Sequence, residues 1–198
     1  EFDSLEGALY HCAVGQAKRV AVFGRADLSA DSEGYAQAEE LGALLAGAGF
    51  IVVSGGYGGA MEAVSCGAAR AGGRVEGVVC RAFSKRAPNP YLTKRIWAGD
   101  LHERTRILVE RADAYVALEP RTGTLTEVLT VWSLMKAGSA VGRPVVLVGP
   151  LWDSLWRAFK GMGAVEENLL ECSIRVPHGR NVLPALAALG PREMPQHG

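Results

Sequence analysis

The chain has 198 residues, of which 48% are hydrophobic, so it can bury one substantial core but is too short for two large domains. Its 21 Lys and Arg residues are balanced by 21 Asp and Glu residues. With no net charge, the chain has no overall field to attract nucleic acid or an acidic membrane. We expect neither as a partner, although a local basic patch is compatible with this balance.

The cysteines, Cys12, Cys66, Cys80 and Cys172, are scattered along the chain without a C-x-x-C pair. This spacing disfavours a zinc or thioredoxin-like site, and we predict no metal site. Reduced, buried cysteines in a chain of this length are typical of the cytoplasm. We find no apolar run long enough to span a bilayer and no signal-peptide pattern, so we expect a cytoplasmic protein.

Apolar runs and helical periodicities alternate from residue 19 onward, whereas residues 1–17 give weak signals and are predicted to be a loose lead-in. The first strand is apolar on both faces, as in the centre of a parallel sheet. Asp31 and Ser32 are candidate N-caps for the first helix. The elements predicted in this half are strand 19–24, a helix that runs to residue 48, strand 50–54, helix 60–71 and strand 75–80.

The second half begins with a long segment, 81–99, that has no clear period and contains Pro88 and Pro90. Connections of this length are uncommon in compact domains and are often functional. The elements predicted beyond it are helix 101–111, strand 114–118, helix 124–136, strand 145–148, helix 152–160, a short strand near Ile174 and a helix over 182–189. In helix 124–136, Trp132 lies on an apolar face that packs either in the core or in a homodimer interface.

This alternation of strands and helices requires crossover connections, which predict a parallel sheet covered by helices on both sides. We therefore predict a single α/β domain over 18–198 with a Rossmann-like, doubly wound parallel sheet. Ligands bind to such sheets beyond the carboxyl ends of the strands.

Two glycine-rich turns are predicted at that edge, and the first follows the strand at 50–54. It matches neither the dinucleotide fingerprint nor the P-loop. Glycine allows the positive φ of a tight turn, but four glycines exceed what one turn needs, which favours close approach of a ligand to the backbone. The residues assigned to this half of the site are Gly24, Ser54, Gly55, Gly56, Gly58, Gly59 and Met61.

The second turn follows the strand at 114–118 and contains Arg121, Thr122, Gly123 and Thr124. Its amides, its hydroxyls and its guanidinium are suited to phosphate oxygens, and a helix N-terminus adds free N–H groups. Glu127 follows Thr124 by three residues, which is the spacing of a capping box, so capping and catalysis are both open for it. Two such turns in one chain predict one ligand between them, a phosphorylated nucleoside.

Two groups of charged residues have alternative explanations. At the start of helix 101–111, His102, Glu103, Arg104 and Arg106 form either a solvated face or, through Arg104, a contact with a sugar phosphate. The basic residues of the long connection either form a solvated loop or steer and cover an anionic substrate. These basic residues are Arg81, Lys85, Arg86, Lys94 and Arg95.

Together these motifs resemble the LOG family of cytokinin-activating nucleoside 5′-monophosphate phosphoribohydrolases. The resemblance covers roughly residues 18–150, and the matching segments are Gly55-Gly56-x-Gly58-Gly59-x-Met61, Leu101-His102-Glu103-Arg104, Ala112-Asp113-Ala114-Tyr115 and Gly123-Thr124-x-x-Glu127. It implies a homodimeric, Rossmann-like enzyme without metal or organic cofactor that cleaves an adenine-type base from ribose 5-phosphate. It also implies that Arg104 and Glu127 are the catalytic residues.

The chain departs from the family pattern at the second turn. Where the family has Pro-Gly-Gly, this chain has Glu119, Pro120 and Arg121, and Thr105 replaces a lysine that follows the family's arginine. Pro120 removes an N–H donor, and Glu119 brings a negative charge that Arg121 is expected to offset. Beside LOG-like hydrolysis, these changes leave open a non-catalytic carrier of a nucleotide or phosphorylated cofactor, or an oligomeric scaffold with an unused pocket.

Overall fold

In the part of the chain that the structure describes, seven parallel strands form one central sheet. The computed structural model describes residues 18–83, 86–140 and 142–188, so the predicted lead-in at 1–17, Cys12 and Lys85 lie outside the described residues. The strands are β1 (Arg19–Phe23), β2 (Ile51–Ser54), β3 (Val75–Cys80), β4 (Lys94–Ala98), β5 (Ala114–Ala117), β6 (Val145–Val148) and β7 (Ser173–Val176). The predicted parallel α/β sheet is confirmed.

The strand order places the switch point of the sheet between β1 and β5. The order is β4-β3-β2-β1-β5-β6-β7, so the chain builds outward from β1 to β4 and then continues on the other side of β1. Val20 of β1 pairs with Val52 of β2 on one side and with Ala114 of β5 on the other. Connections that diverge in this way leave a crevice at the carboxyl ends of the two central strands.

Helices cover both faces of the sheet, as predicted for a doubly wound fold. They are α1 (Glu33–Gly47), α2 (Ala60–Arg70), α3 (Leu101–Arg111), α4 (Thr122–Lys136), α5 (Pro150–Met162), α6 (Glu167–Glu171) and α7 (Val182–Ala188). Helices α1, α2 and α7 pack against one face, and α3, α4, α5 and α6 pack against the other. Both faces of the central strands are therefore buried, which explains their continuous apolar runs. None of the described helices is long and apolar enough to cross a membrane.

Several local predictions agree with this structure. Ser32 is the N-cap of α1, where its Oγ accepts a hydrogen bond from Tyr35 N at 3.2 Å. Trp132 is buried, and its Nε1 donates to Ser173 Oγ at 3.0 Å, so core packing accounts for its apolar face. Leu129, which helical spacing places on the same face, is exposed instead. The homodimer stays a prediction.

The sequence pattern missed β4, α6 and the 3₁₀ turn Gly179–Asn181 that precedes α7. Strand β4 lies inside the segment that was predicted to be an aperiodic connection, and it pairs with β3 alone. Its residues Lys94, Arg95 and Trp97 are exposed because it is the edge strand of the sheet. An edge strand with so little burial lacks the apolar run that marks the other strands.

Candidate functional site

Arg104 lies near the start of α3 and connects several parts of the candidate site. Its side chain is 7% exposed, so a solvated helix face does not explain it. Nε donates to Val78 O at 3.0 Å, and Nη2 donates to Gly55 O at 3.1 Å. Two backbone carbonyl groups therefore hold the guanidinium between β3 and the first glycine turn. The neighbouring Glu103 belongs to the N-terminal cap of the same helix, because its N–H donates to Asp100 Oδ1 at 2.8 Å.

Glu127 faces this guanidinium from α4. Its side chain is 12% exposed, and its Oε1 lies 3.7 Å from Arg104 Nη1. This separation makes an ion pair without a direct hydrogen bond. Burial disfavours the charged carboxylate more than the nearby guanidinium favours it, so the pKa of Glu127 is raised to about 7. Such a carboxyl group can exchange a proton near neutral pH.

The second turn is itself the beginning of α4. The backbone of Arg121 is extended (φ −127°, ψ −177°) and forms the N-cap, so the helix begins at Thr122. Leu125 N donates to Arg121 O at 2.9 Å. Thr124 is consequently the third helical residue and not the N-cap. The capping-box interpretation of Glu127 is wrong, because the helix begins two residues earlier than its apolar periodicity indicates.

The N-terminus of α4 is open. Among the described residues, no side chain caps it, and a Cβ added at Gly123 would meet no atom within 4 Å. The N–H groups of Thr122, Gly123 and Thr124 precede the first helical hydrogen bond. Thr124 is 2% exposed, and its Oγ1 has no hydrogen-bond partner in the described part of the chain. This arrangement of donors is suited to an anion.

The first glycine turn, by contrast, is packed tightly against the protein. Gly56 and Gly59 have φ values of +74° and +66°, which side chains rarely allow. A Cβ at Gly59 would lie 2.6 Å from Arg25 O. Ser54 Oγ accepts a hydrogen bond from Gly56 N at 3.2 Å. Gly58 has more room, since a Cβ there would meet one atom at 3.7 Å. The fold itself therefore requires two of these glycines.

Gly55 and Gly24 are also required by close contacts. A Cβ at Gly55 would overlap Arg104 Nη2 and lie 2.5 Å from Met61 Sδ. That sulfur lies 3.6 Å from the same guanidinium nitrogen. A Cβ at Gly24 would lie 2.7 Å from Ala60 Cβ. The structure thus brings Gly55, Met61 and Glu127 together around Arg104, whereas Gly24 packs beneath the N-terminus of α2.

Sequence reasoning missed two residues that hold the first turn. Tyr57 OH accepts a hydrogen bond from Cys80 N at 2.8 Å and donates to Cys80 O at 3.1 Å, and its ring lies 5.9 Å from Arg104 Cζ. Asn89 donates through Nδ2 to Tyr57 O at 3.1 Å and through its backbone N–H to Gly56 O at 2.9 Å. A polar residue between two prolines in a long connection was the signal for Asn89.

An ion pair lies at the end of β5, beside the switch point. Arg25 Nη1 is 3.1 Å from Glu119 Oε1, and the same guanidinium donates two hydrogen bonds, of 2.7 and 2.9 Å, to the Asp27 carboxylate. The hydrogen bonds from Arg25 lower the pKa of Asp27 to about 2. Glu119 is therefore paired with Arg25, and among the described residues no ion pair joins Glu119 to Arg121, which is exposed.

The thiols of Cys66 and Cys80 are free and buried. Within residues 18–83, 86–140 and 142–188, no three His, Cys, Asp or Glu side chains are grouped so that they could hold a metal ion.

Comparison with known proteins identifies the family. The sequence model of the SLOG cluster4 family matches residues 17–152. The cytokinin riboside 5′-monophosphate phosphoribohydrolase of Mycobacterium tuberculosis is 32% identical over 168 residues, which cover 78% of this chain and 84% of that protein.

Solved structures share the fold. The molybdenum cofactor binding protein of Rippkaea orientalis superposes with a TM-score of 0.71 at 21% sequence identity. The molybdenum cofactor carrier protein of Chlamydomonas reinhardtii superposes with a TM-score of 0.69 at 24% sequence identity. Each alignment covers 88% of this chain and 98% of the other chain. At these identities the likeness concerns the fold alone. The family match and the mycobacterial relative confirm the resemblance to LOG proteins, and this chain belongs to the SLOG cluster4 family.

Proposed function

We propose that this protein hydrolyses the N-glycosidic bond of a nucleoside 5′-monophosphate and releases a free base and ribose 5-phosphate. The observation that carries the proposal is the buried pair of Arg104 and Glu127 at the carboxyl edge of the sheet, where Arg104 also holds the first glycine turn. The name of the mycobacterial relative describes this reaction on a cytokinin riboside monophosphate.

Glu127 would stabilise the reacting sugar. Cleavage takes the bonding electrons to the base and leaves positive charge on the ribose, and water then forms the new C–O bond as its proton passes to the departing base. A carboxylate beside the ring lowers the energy of this cationic state, most strongly where water is largely excluded. Since the pKa of Glu127 is about 7, a substantial fraction is ionised at neutral pH.

Arg104 would hold the substrate with Nη1. Its Nε and Nη2 already donate to Val78 O and Gly55 O, which leaves Nη1 directed toward Glu127. The same guanidinium keeps the first glycine turn in place, so the turn and the carboxyl group are oriented before substrate arrives. Such preorganisation lowers the barrier because the groups need not rearrange during the reaction.

The phosphate would bind at the N-terminus of α4. The amides of Thr122, Gly123 and Thr124 and the hydroxyl of Thr124 are the donors, and the exposed Arg121 adds a positive charge. On the other side, the ribose would lie against the first turn, where Gly58 leaves space for the closest approach.

The direct test is to incubate the purified protein with AMP and N6-substituted AMPs and to separate the products by chromatography. We expect free base and ribose 5-phosphate in equal amounts. Complete inactivity across a broad panel of nucleoside monophosphates would contradict the hydrolase proposal.

A non-catalytic carrier is the second candidate function, and the changed turn favours it. Pro120 lacks an N–H donor, and Glu119 places a carboxylate, paired with Arg25, where the family has proline. The two structural neighbours are described as a binding protein and a carrier for the molybdenum cofactor. A carrier would show saturable binding of a nucleotide or phosphorylated cofactor in calorimetry, with the ligand recovered intact. A ligand recovered as base and sugar phosphate would contradict it.

A further inference from the structure

The charges of this neutral chain are unevenly distributed. Between Glu76 and Asp100 the sequence contains no acidic residue. The same stretch contains the basic residues Arg81, Lys85, Arg86, Lys94 and Arg95, and Lys85 lies outside the described residues. The neutral chain can therefore carry a local positive field, because the field near a surface depends on the charges that lie there.

The structure places two of these arginines and one lysine on or beside the edge strand. We call the set of Arg81, Lys94, Arg95 and Trp97 the β4 surface. All four residues are exposed. No described carboxylate lies within ion-pairing distance of its three cations. Their positive charge is consequently available to an anionic partner.

Trp97 supplies a ring beside these charges. Its side chain is 50% exposed, and the guanidinium of Arg81 lies 5.4 Å from the ring centroid. Arg81 is held close to it because Arg81 N donates to Ala98 O at 2.9 Å. Arg95 and Trp97 project to the same side of the sheet, since they are alternate residues of one strand. One face of β4 thus combines an aromatic ring with two guanidinium groups.

Protection of the sheet edge explains part of this pattern. Charged residues on an edge strand prevent further strands from adding to it. That role requires neither a half-exposed tryptophan nor the absence of acidic residues from the surrounding segment. Rings and unpaired cations on one surface are, however, what a single-stranded nucleic acid contacts, through base stacking and through its phosphates.

We propose that the β4 surface binds single-stranded nucleic acid. A base stacks on Trp97, and Arg81 and Arg95 contact phosphates. An acidic peptide is less suited to this surface, because the charged edge opposes the strand addition through which extended peptides bind. No hydrogen bond, ion pair or ring contact among the described residues joins this surface to Arg104 or Glu127, so it is a site separate from the proposed hydrolase centre.

The test is fluorescence anisotropy with a labelled oligothymidylate of about 12 nucleotides, titrated with the full chain at several salt concentrations. We expect saturable binding that weakens as salt rises from about 50 to 200 mM. The double variant Arg81→Glu, Arg95→Glu should bind at least about tenfold more weakly and show a flatter salt dependence. Trp97→Ala should lose about fivefold or more, and Trp97→Phe should retain most of the affinity.

The matched control reverses two exposed charges elsewhere. Arg157 in α5 and Arg180 in the turn before α7 are both exposed, and their change to Glu gives the same net charge. This control should bind like the unchanged chain, and an equal loss in both double variants would overturn the proposal. So would the absence of binding at low salt, or equally strong competition by polyglutamate, which would indicate an acidic peptide instead.

The outcome is independent of the proposed hydrolase activity. The Arg81→Glu, Arg95→Glu variant should release base from AMP at the rate of the unchanged chain. Oligonucleotide binding without any base release would contradict only the proposed hydrolase function, whereas base release without oligonucleotide binding would contradict only the β4 surface.

Discussion

The two glycine-rich turns look alike in the sequence but differ in the folded protein. In the first, the positive φ of Gly56 and the contacts around Gly55 leave little freedom, and Asn89 fastens the turn from a distant loop. In the second, Gly123 is exposed and meets no neighbour, and the hydroxyl of Thr124 is buried without a partner in the described part of the chain.

This difference indicates that the two turns have different roles. The first turn uses its glycines to let Arg104 approach the backbone, so it is complete without a ligand. The second turn keeps exposed N–H groups at the start of α4 and a buried Thr124 hydroxyl without a described partner, and buried polar groups without partners are costly. The comparison suggests that the first turn orients the reacting groups and the second binds the anion. The following substitutions test these two roles, from the largest expected effect to the smallest.

Glu127→Gln should have the largest effect on catalysis. It keeps the shape of the side chain but removes the carboxylate that we propose stabilises the sugar cation, so base release should fall by about a hundredfold to a thousandfold. Circular dichroism should show an unchanged fold. Glu110→Gln, on the exposed side of α3, is the matched control and should keep the full rate. A full rate in Glu127→Gln would make Glu127 a structural residue.

Gly55→Ala and Gly123→Ala should separate the two turns directly. A methyl group at Gly55 collides with the Arg104 guanidinium, so we expect about 1–3 kcal/mol of destabilisation and a loss of base release of about a hundredfold. At Gly123 the methyl group meets nothing, and alanine in a helix should leave stability unchanged or raise it by about 0.5–1 kcal/mol. Urea denaturation measures the stability of both variants. Equal losses of stability in the two variants would contradict the proposed difference between the two turns.

The raised pKa of Glu127 should make stability depend on pH. The folded chain binds the proton with a pKa of about 7, against an ordinary value of 4.5, so it holds more protons than the unfolded chain between these values. Stability should therefore fall as pH rises from 4.5 through 7, by on the order of 1–3 kcal/mol. Glu127→Gln lacks this pH-dependent contribution to stability. The stability of the variant relative to the unchanged chain should therefore be higher at pH 8 than at pH 5. An equal difference at both pH values would argue against burial of the charge.

Thr124→Val should have the smallest effect. Replacing a buried hydroxyl that has no partner in the described structure by a methyl group should raise the stability of the ligand-free protein by about 1 kcal/mol. The thermal shift produced by a nucleotide should decrease at the same time, because a donor to the phosphate is lost. Thr124→Ser keeps the hydroxyl and serves as the control. If the nucleotide raised the melting temperature of Thr124→Val as much as that of the unchanged chain, the anion would bind elsewhere.

The sequence by itself determined the fold class and the segments that make up the candidate site. Strands buried on both faces leave continuous apolar runs, and helices leave a period of 3.6 residues, so both are visible without any long-range contact. The spacing of the glycine, arginine and glutamate motifs also carried the family resemblance, since it is a property of the chain alone.

Only the tertiary structure decided how these segments act together. Edge strand β4 lacked a periodic signal because only β3 pairs with it, and Asn89 acquired its role through a turn more than 30 residues away. The pairing of Arg25 with Glu119 and the raised pKa of Glu127 likewise arise between elements that are distant in sequence. Desolvation and ion pairing depend on which groups the fold brings together and how far it excludes water, and no local pattern of residues contains that information.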